Sequence, residues 1–282
     1  MKGAEKKALS SSLSDLIEKF SQNDVIAEME KEYQNAPAKL VNVASIDDNH
    51  FISSVRLAKS VVDYFASTIK EKGIFNPLVV TPKGERFEVV LGRKRFLGAK
   101  KAGLVSLPCV IKEMGEEEEL LTLLADNRDQ RESNVLEMAL ICEALQVRFG
   151  YTQQTLASLS HQSRCQITNT MRLLKLSKPL QEEVSLGKLS YGHAKAIASL
   201  DETTMVFAVS QIHEKKMSVR ETERYVASLK ENSMNGAQTQ RGYLSGVVNI
   251  VENDNSVTLV FSAKEEKDKF LQGFLQIKNR RD

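Results

Sequence analysis

The sequence predicts an α+β, multidomain protein: a small mixed α/β domain first, an all-α domain after it, and a ββα tail. Three observations point there. β-prone runs and stretches of helical spacing alternate between residues 40 and 114. Helical spacing then continues for more than a hundred residues, and two β-prone runs with an amphipathic stretch behind them return at the end. At 282 residues with 41% hydrophobic and 27% charged content, the chain can bury a substantial core. Residues 1–39 read as a flexible arm, 40–132 as the mixed domain and 133–231 as the helical domain. A linker is expected over 232–243 and a tail domain over 244–282.

The elements follow in order. Residues 40–43 are apolar and β-prone; Val61, Val62, Phe65 and Ile69 have helical spacing, and Gly73 is a natural stop. Residues 77–80 form a strand, Lys83-Gly84 a turn, 87–91 a second strand, 93–102 a short basic helix closed by Gly103, and 106–111 a third strand. Helices are predicted over 117–128, 136–149, 153–159, 164–174, 178–186, 191–198, 202–214 and 219–230. The polar run NSMNGAQTQ at 232–240 reads as linker. Residues 247–251 and 257–261 pair as a hairpin, and 263–278 form a helix with Phe270, Leu271, Phe274 and Leu275 on one face. A hairpin and one helix are too small to bury a core alone, so the tail is expected to make a homodimer.

Net charge is only +2, with pI near 8.3, so a nucleic-acid partner has to be argued from local charge. Residues 1–55 hold six Lys, no Arg and nine acidic residues, a net −3; residues 152–198 hold six basic and two acidic residues, a net +4. Cys109, Cys142 and Cys165 contain no CxxC pair, which disfavours a disulfide framework or a zinc site. The N-terminus has no apolar signal region and no apolar run approaches ~20 residues, so a cytoplasmic protein that does not span a membrane is expected. GxxxxGK[ST] and GxGxxG do not occur, and His50, His161, His193 and His213 are scattered without ligand spacing. A small-molecule enzyme is the weaker reading, and Glu116–Glu119 reads as a solvated helix start.

The sharpest local pattern is YTQQTLASLSHQSRCQITNTMRLLKL at 151–176. Thr152 can cap a first helix in which Leu156 and Ala157 face inward. A turn over 160–163 follows, with His161 where Gly is usual. In the second helix Ile167, Met171 and Leu174 face inward, leaving Arg164, Cys165, Thr168, Asn169 and Arg172 outward, as a helix-turn-helix requires. Short polar groups and guanidinium forks there suit base edges and phosphates. An ordinary α-hairpin with a basic solvated face has the same spacing. Thr152, Gln153, Ser163, Gln166 and Lys175 complete the expected DNA-binding set, with Gly192, His193 and Lys195 from the next basic segment.

These residues resemble a family. TQQTLA…SRCQITNTMRLLKLS followed by GKLSYGHAKA is similar to the ParB family of plasmid and chromosome partition proteins, which carry a GKLSxGHAR-like segment at this distance. GIFNPLVV…LGRKRFLGAKKAGL resembles that family's GxxQPLVV…GERRxRAAKxAGL, and the stretch from Asp126-Asn127 to Ala139 its ENxxREDLNPxEEA element. The resemblance spans roughly residues 40–230. It implies a ParB/sulfiredoxin-like N-terminal fold, a ββα dimerisation domain and a homodimer on a palindromic parS-like DNA site. It implies a ParA-type ATPase partner, for which residues 1–39 are the candidate contact, and a nucleoid- or plasmid-associated location. It also implies CTP and Mg²⁺ as cofactors, a sliding clamp, and weak CTP hydrolysis.

Carried over by position, Gly92 and Arg95 would cradle the triphosphate beside Arg93 and Lys94, Asn127 would hold Mg²⁺ next to Asp126, and Asn76 would lie near the cytosine. No catalytic residue is assigned. The chain departs from the pattern: Arg93 replaces a Glu, Lys94 an Arg, Leu97 an Arg and Asp126 a Glu. An NPxQPR-like stretch is not recognisable, though Arg56 can stand for its Arg, and the arm offers only Lys2, Lys6 and Lys7 near its start. The rival within the same superfamily is a transcriptional repressor or nucleoid-associated DNA-binding protein without CTPase activity. A sulfiredoxin-like enzyme needs a Cys where Arg93 stands.

Overall fold

The computed structural model describes residues 37–129, 134–239, 247–253, 256–261 and 267–268. The chain divides into two compact units, Met1–Ser210 and Gln211–Asp282.

The first unit is built on a five-stranded mixed sheet of order β1-β5-β3-β4-β2. Its strands are β1 (Lys39–Asn42), β2 (Ile46–Asp47), β3 (Leu78–Lys83), β4 (Arg86–Leu91) and β5 (Ser106–Ile111). β3 pairs antiparallel with β4 across a two-residue turn and parallel with β5, in the register Leu78↔Cys109. The turn begins at Gly84, whose φ of 65° suits a tight hairpin.

Pleat alternation sends the sheet's apolar residues to two cores. Leu78, Val80, Val89, Leu107 and Cys109 pack with Ile69, Phe96 and Ala99, which belong to α1 (Lys59–Lys72) and α2 (Arg93–Ala102). Val79, Val90 and Val110 face the other way, against α3 (Glu116–Asp129) and α4 (Val135–Phe149). Because both faces are covered, the central strands read as unbroken apolar runs. The second core continues without interruption through Leu145 and Tyr151 into Leu156, Ala157, Leu159 and Ile167 of the following helices. The next two helices are therefore seated on the same core as the sheet.

Those two helices are α5 (Gln153–Leu159) and α6 (Arg164–Arg172); α7 (Lys178–Ser185), α8 (Tyr191–Ile197) and α9 (Glu202–Lys215) come after them. A 3₁₀ turn, Leu173–Lys175, closes α6. This tightening changes one expected inward position: Leu173 is fully buried, whereas Leu174 is only half-buried. In the second unit the described elements are α10 (Val219–Thr239) and an antiparallel hairpin, β6 (Val247–Asn253) with β7 (Ser256–Phe261), paired at Asn253↔Ser256. α10 runs through most of the stretch read as linker. Extending an established helix needs no new nucleus, and Met234, Ala237 and Gln238 are tolerant of it. The helix expected over 263–278 lies largely outside the described residues, as does the arm. No described helix is long and apolar enough to cross a membrane.

Candidate nucleic-acid interface and phosphate motif

α5 and α6 are held by side chains at their own ends. Thr152 caps α5 by accepting from the Thr155 amide at 3.1 Å. Ser163 and Gln166 form a reciprocal capping box at the start of α6: Ser163 Oγ accepts from the Gln166 amide at 3.1 Å, and Gln166 Oε1 accepts from the Ser163 amide at 2.8 Å. Both belong to the expected DNA-binding set, and their side chains also start the helix. The tight turn between the helices is completed by His161, whose φ is 52°. Arg128, at the end of α3, reaches this turn, 3.4 Å from the Leu159 carbonyl and from His161 Nε2.

One stripe of α6 is locked down: Ile167 is fully buried, Thr170 nearly so, and Met171 packs against the core. The opposite stripe carries Arg164 and Cys165, both exposed, and the half-buried Asn169 and Arg172. Asn169 Nδ2 lies 3.6 Å from Cys165 Sγ, so these two groups share one patch of the surface. Thr168 Oγ1 donates to Gln153 Oε1 at 2.8 Å, with the Arg164 carbonyl 2.9 Å away, which ties the outward stripe to the start of α5. Lys175 and Lys195 are exposed; Gly192 and His193 are half-buried, and His193 Nδ1 is 2.7 Å from the Ser190 hydroxyl that caps α8. This is a rigidly based, basic and polar surface about one helix wide, suited to a major groove.

Of the second group of expected residues, Asn76, Gly92, Arg93, Lys94 and Arg95 lie at or beside the start of α2, while Asp126 and Asn127 lie on α3. Gly92 caps α2 in the left-handed region, with φ 94°. A Cβ there would lie 3.0 Å from Arg95 Nη2, so the Arg95 guanidinium packs directly over the glycine. Arg95 donates from Nη1 to the backbone carbonyls of Asn76 and, at 3.1 Å, Pro77. The structure thus brings Gly92, Arg95 and the exposed Asn76 together. Asn127 is buried on α3, where its Nδ2 donates to the Leu123 carbonyl at 3.1 Å and leaves Oδ1 as the atom a cation could use. Asp126, beside it, is half-buried.

Arg93 is turned elsewhere. Its side chain is buried, and it grips Asp48 through two parallel bonds of 2.8 Å, Nε to Oδ1 and Nη2 to Oδ2. Nη2 also donates to the Val55 carbonyl at 2.8 Å, and Nη1 to Glu137 Oε1 on α4. Burial alone would depress the Arg93 pKa, but the bonds to Asp48 and Glu137 outweigh it and the pKa rises. Burial pushes the Glu137 carboxyl up despite the opposing pull of Arg93 and Lys94. Lys94 lines a cavity of about 300 Å³ with Leu57, Ala58, Asn134 and Val135. Asp48 and Glu137 were missed from the sequence because they lie 45 and 44 positions from Arg93. A lone basic residue in a helix's first turn, where carboxylates are favoured, was the available signal.

A second polar cluster sits under the sheet. Glu119 is fully buried, accepts from Asn49 Nδ2 at 2.6 Å and pairs with Lys83 at 3.1 Å, while Glu88 contacts His50 at 2.7 Å. Burial, with the neighbouring Glu88, raises the Glu119 carboxyl pKa.

Comparison with known proteins follows this division. Residues 27–128 match the ParB N-terminal domain model and residues 131–231 the ParB HTH domain model. The chain is 31% identical over 226 residues to a probable chromosome-partitioning protein ParB of Campylobacter jejuni, covering 80% of this chain and 79% of the relative. It is 33% identical over 181 residues to the chromosome-partitioning protein Spo0J of Thermus thermophilus, covering 64% and 67%. Among solved structures, a C-terminally truncated ParB of Caulobacter crescentus complexed to the centromeric parS site is 28% identical, with a TM-score of 0.41, over 67% of this chain and 99% of that one.

Proposed function

The chain belongs to the ParB family of chromosome-partitioning proteins, and on that premise we propose that it is a centromere-binding protein that reads a palindromic parS-like site as a homodimer. The observation that carries the reading is α6: Ile167 anchors it in the core shared with the sheet, while Arg164, Cys165, Asn169 and Arg172 share its outward stripe. Arg164 and Arg172 supply phosphate or guanine contacts, Asn169 is an adenine-type reader, and Lys175 and Lys195 add backbone charge. Thr168, held by Gln153, fixes the reading stripe against α5. Dimerisation is assigned to residues 244–282, and a ParA-type ATPase is the expected partner.

CTP is the proposed nucleotide, with Mg²⁺. The residues present fit a triphosphate: the first amides of α2 follow Gly92, whose left-handed turn brings the Arg95 guanidinium over them, and Lys94 is in the same turn. Asp126 and Asn127 Oδ1 would hold the cation, and Asn76 lies next to the Arg95 guanidinium. The metal would neutralise the phosphate charge; the chain's own contribution is to bind and orient. Hydrolysis is expected to be slow, because Arg93 replaces a carboxylate at this turn and is occupied with Asp48 and Glu137.

The test is calorimetry of the full chain with CTP, ATP, GTP and UTP, each with Mg²⁺ and a parS-like duplex. Selective binding of CTP supports the nucleotide reading. Equal or absent binding of all four leaves a DNA-binding member of the family without nucleotide control.

A further inference from the structure

His50, Glu88 and Glu119 come from three separate parts of the fold: the loop after β2, the middle of β4 and the first turn of α3. One donor atom from each lies within 4.8 Å of the others, and among the described residues no other three His, Cys, Asp or Glu side chains converge in this way. Glu119 is fully buried and Glu88 nearly so, while the His50 side chain is 40% exposed. The group therefore has two carboxylates inside the protein and an imidazole open to solvent. Carboxylates this close and this buried repel unless positive charge is set between them. The chain supplies part of it: Lys83 Nζ lies 3.1 Å from Glu119 Oε2, and a proton bridges His50 Nδ1 and Glu88 Oε1, 2.7 Å apart. Burial, with Glu88 alongside, still raises the Glu119 carboxyl, a sign that the negative charge is incompletely balanced. The surrounding bonds orient the donors as the outer shell of a metal site does. Asn49 Nδ2 donates to Glu119 Oε1 at 2.6 Å, and Asn49 Oδ1 accepts from the Phe51 amide at 3.1 Å, which fixes the loop on either side of His50.

We propose that His50 Nδ1 and one carboxylate oxygen each of Glu88 and Glu119 bind a divalent transition-metal ion, Zn²⁺ by ligand type, which pins the loop carrying His50 to β4 and α3. Imidazole with two carboxylates suits zinc, whereas Mg²⁺ takes oxygen ligands and keeps its waters. Donors held at ~2.0–2.2 Å around zinc stand about 3.4 Å apart, so no pair has to close by more than about 1.4 Å. The ion takes the place of the proton between His50 and Glu88, which is released to solvent. Three protein ligands leave a further position for water. The site uses no thiolate, and His50 and Glu88 are 38 positions apart, so neither a CxxC pair nor any short spacing announces it. It is independent of the nucleotide reading, since none of its ligands comes from α2 or from Asp126 and Asn127.

The test is calorimetry of the full chain with ZnCl₂, after removal of metal by a chelator and without nucleotide or DNA. A Cys165→Ser background removes the exposed thiol as a competing ligand. A single Zn²⁺ should bind per chain and raise the melting temperature, and Mg²⁺ at the same concentration should do neither. His50→Ala changes an exposed side chain, and Glu88→Gln keeps the shape while removing the charge. Each should weaken zinc binding at least about tenfold and remove most of the thermal shift, with the circular dichroism of the metal-free protein unchanged. Absence of zinc binding in the parent, binding that either variant leaves unchanged, or an equal response to Mg²⁺ overturns the proposal.

Discussion

A Cβ added to Gly98 would lie 2.6 Å from the Cβ of Phe65, so α2 crosses α1 at a separation that admits no side chain. The nearest backbone atoms, Phe65 C at 3.0 Å and Ala66 N at 3.1 Å, cannot rotate away. Gly98→Ala should force the two helices apart and destabilise the sheet domain by about 1–3 kcal/mol, the range for an overpacked core. Thermal unfolding of the variant against wild type measures it.

Gly92→Ala separates backbone geometry from packing. The residue sits at φ 94°, and its new Cβ would press on Arg95 Nη2. The strain is about 1–2 kcal/mol for a left-handed non-glycine residue, small enough for the fold to survive. Arg95 would be pushed off the Asn76 and Pro77 carbonyls. CTP affinity should fall about tenfold, the equivalent of roughly 1.4 kcal/mol, with circular dichroism unchanged.

Much of this architecture was legible because it rests on local rules. α2 matches its expected bounds, since Gly92 and Gly103 both take left-handed φ at its ends. The central strands announced themselves as apolar runs because helices cover both faces. β2 was missed: two residues make no pattern, and its pairing with Phe87 and Glu88 is set by tertiary context. The S-x-x-Q spacing of Ser163 and Gln166, two residues of the expected DNA-binding set, is also a capping-box signature, and the structure forms that box. The partners of Arg93 were beyond reach for the opposite reason. An ion pair across more than forty residues leaves no periodicity, so the departure at position 93 was visible but its consequence was not.

The exposed guanidinium of Arg164 and that of Arg172 should separate by salt dependence. If Arg164 contacts phosphate, Arg164→Ala lowers affinity for every duplex and reduces the slope of log K against log salt by about one. If Arg172 reads a base, Arg172→Ala costs about 1–3 kcal/mol on the cognate site and less on unrelated DNA. Anisotropy titrations on both duplexes over a salt series distinguish the two.

Asp201 gives a pH prediction with a definite sign. It caps α9, accepting from the Thr204 amide at 3.0 Å and from the hydroxyls of Thr203 and Thr204, and these bonds lower its pKa to about 2 from the usual 3.8. A depressed carboxyl pKa stabilises the folded state above the unfolded value and loses that contribution as pH falls from 3.8 toward 2. Asp201→Ala should therefore cost about 1 kcal/mol near neutrality, the usual worth of a cap. The gap between the two melting curves should narrow as pH drops through that window.

The most direct measurement is the affinity of the full chain for a parS-like palindrome against a scrambled duplex of equal composition, at physiological salt. A ratio of about 10³ or more, collapsing in Arg172→Ala, is the expected result for a specific reader. Equal affinity for the two duplexes, or a ratio that Arg172→Ala leaves intact, would contradict α6 as the element that reads the site.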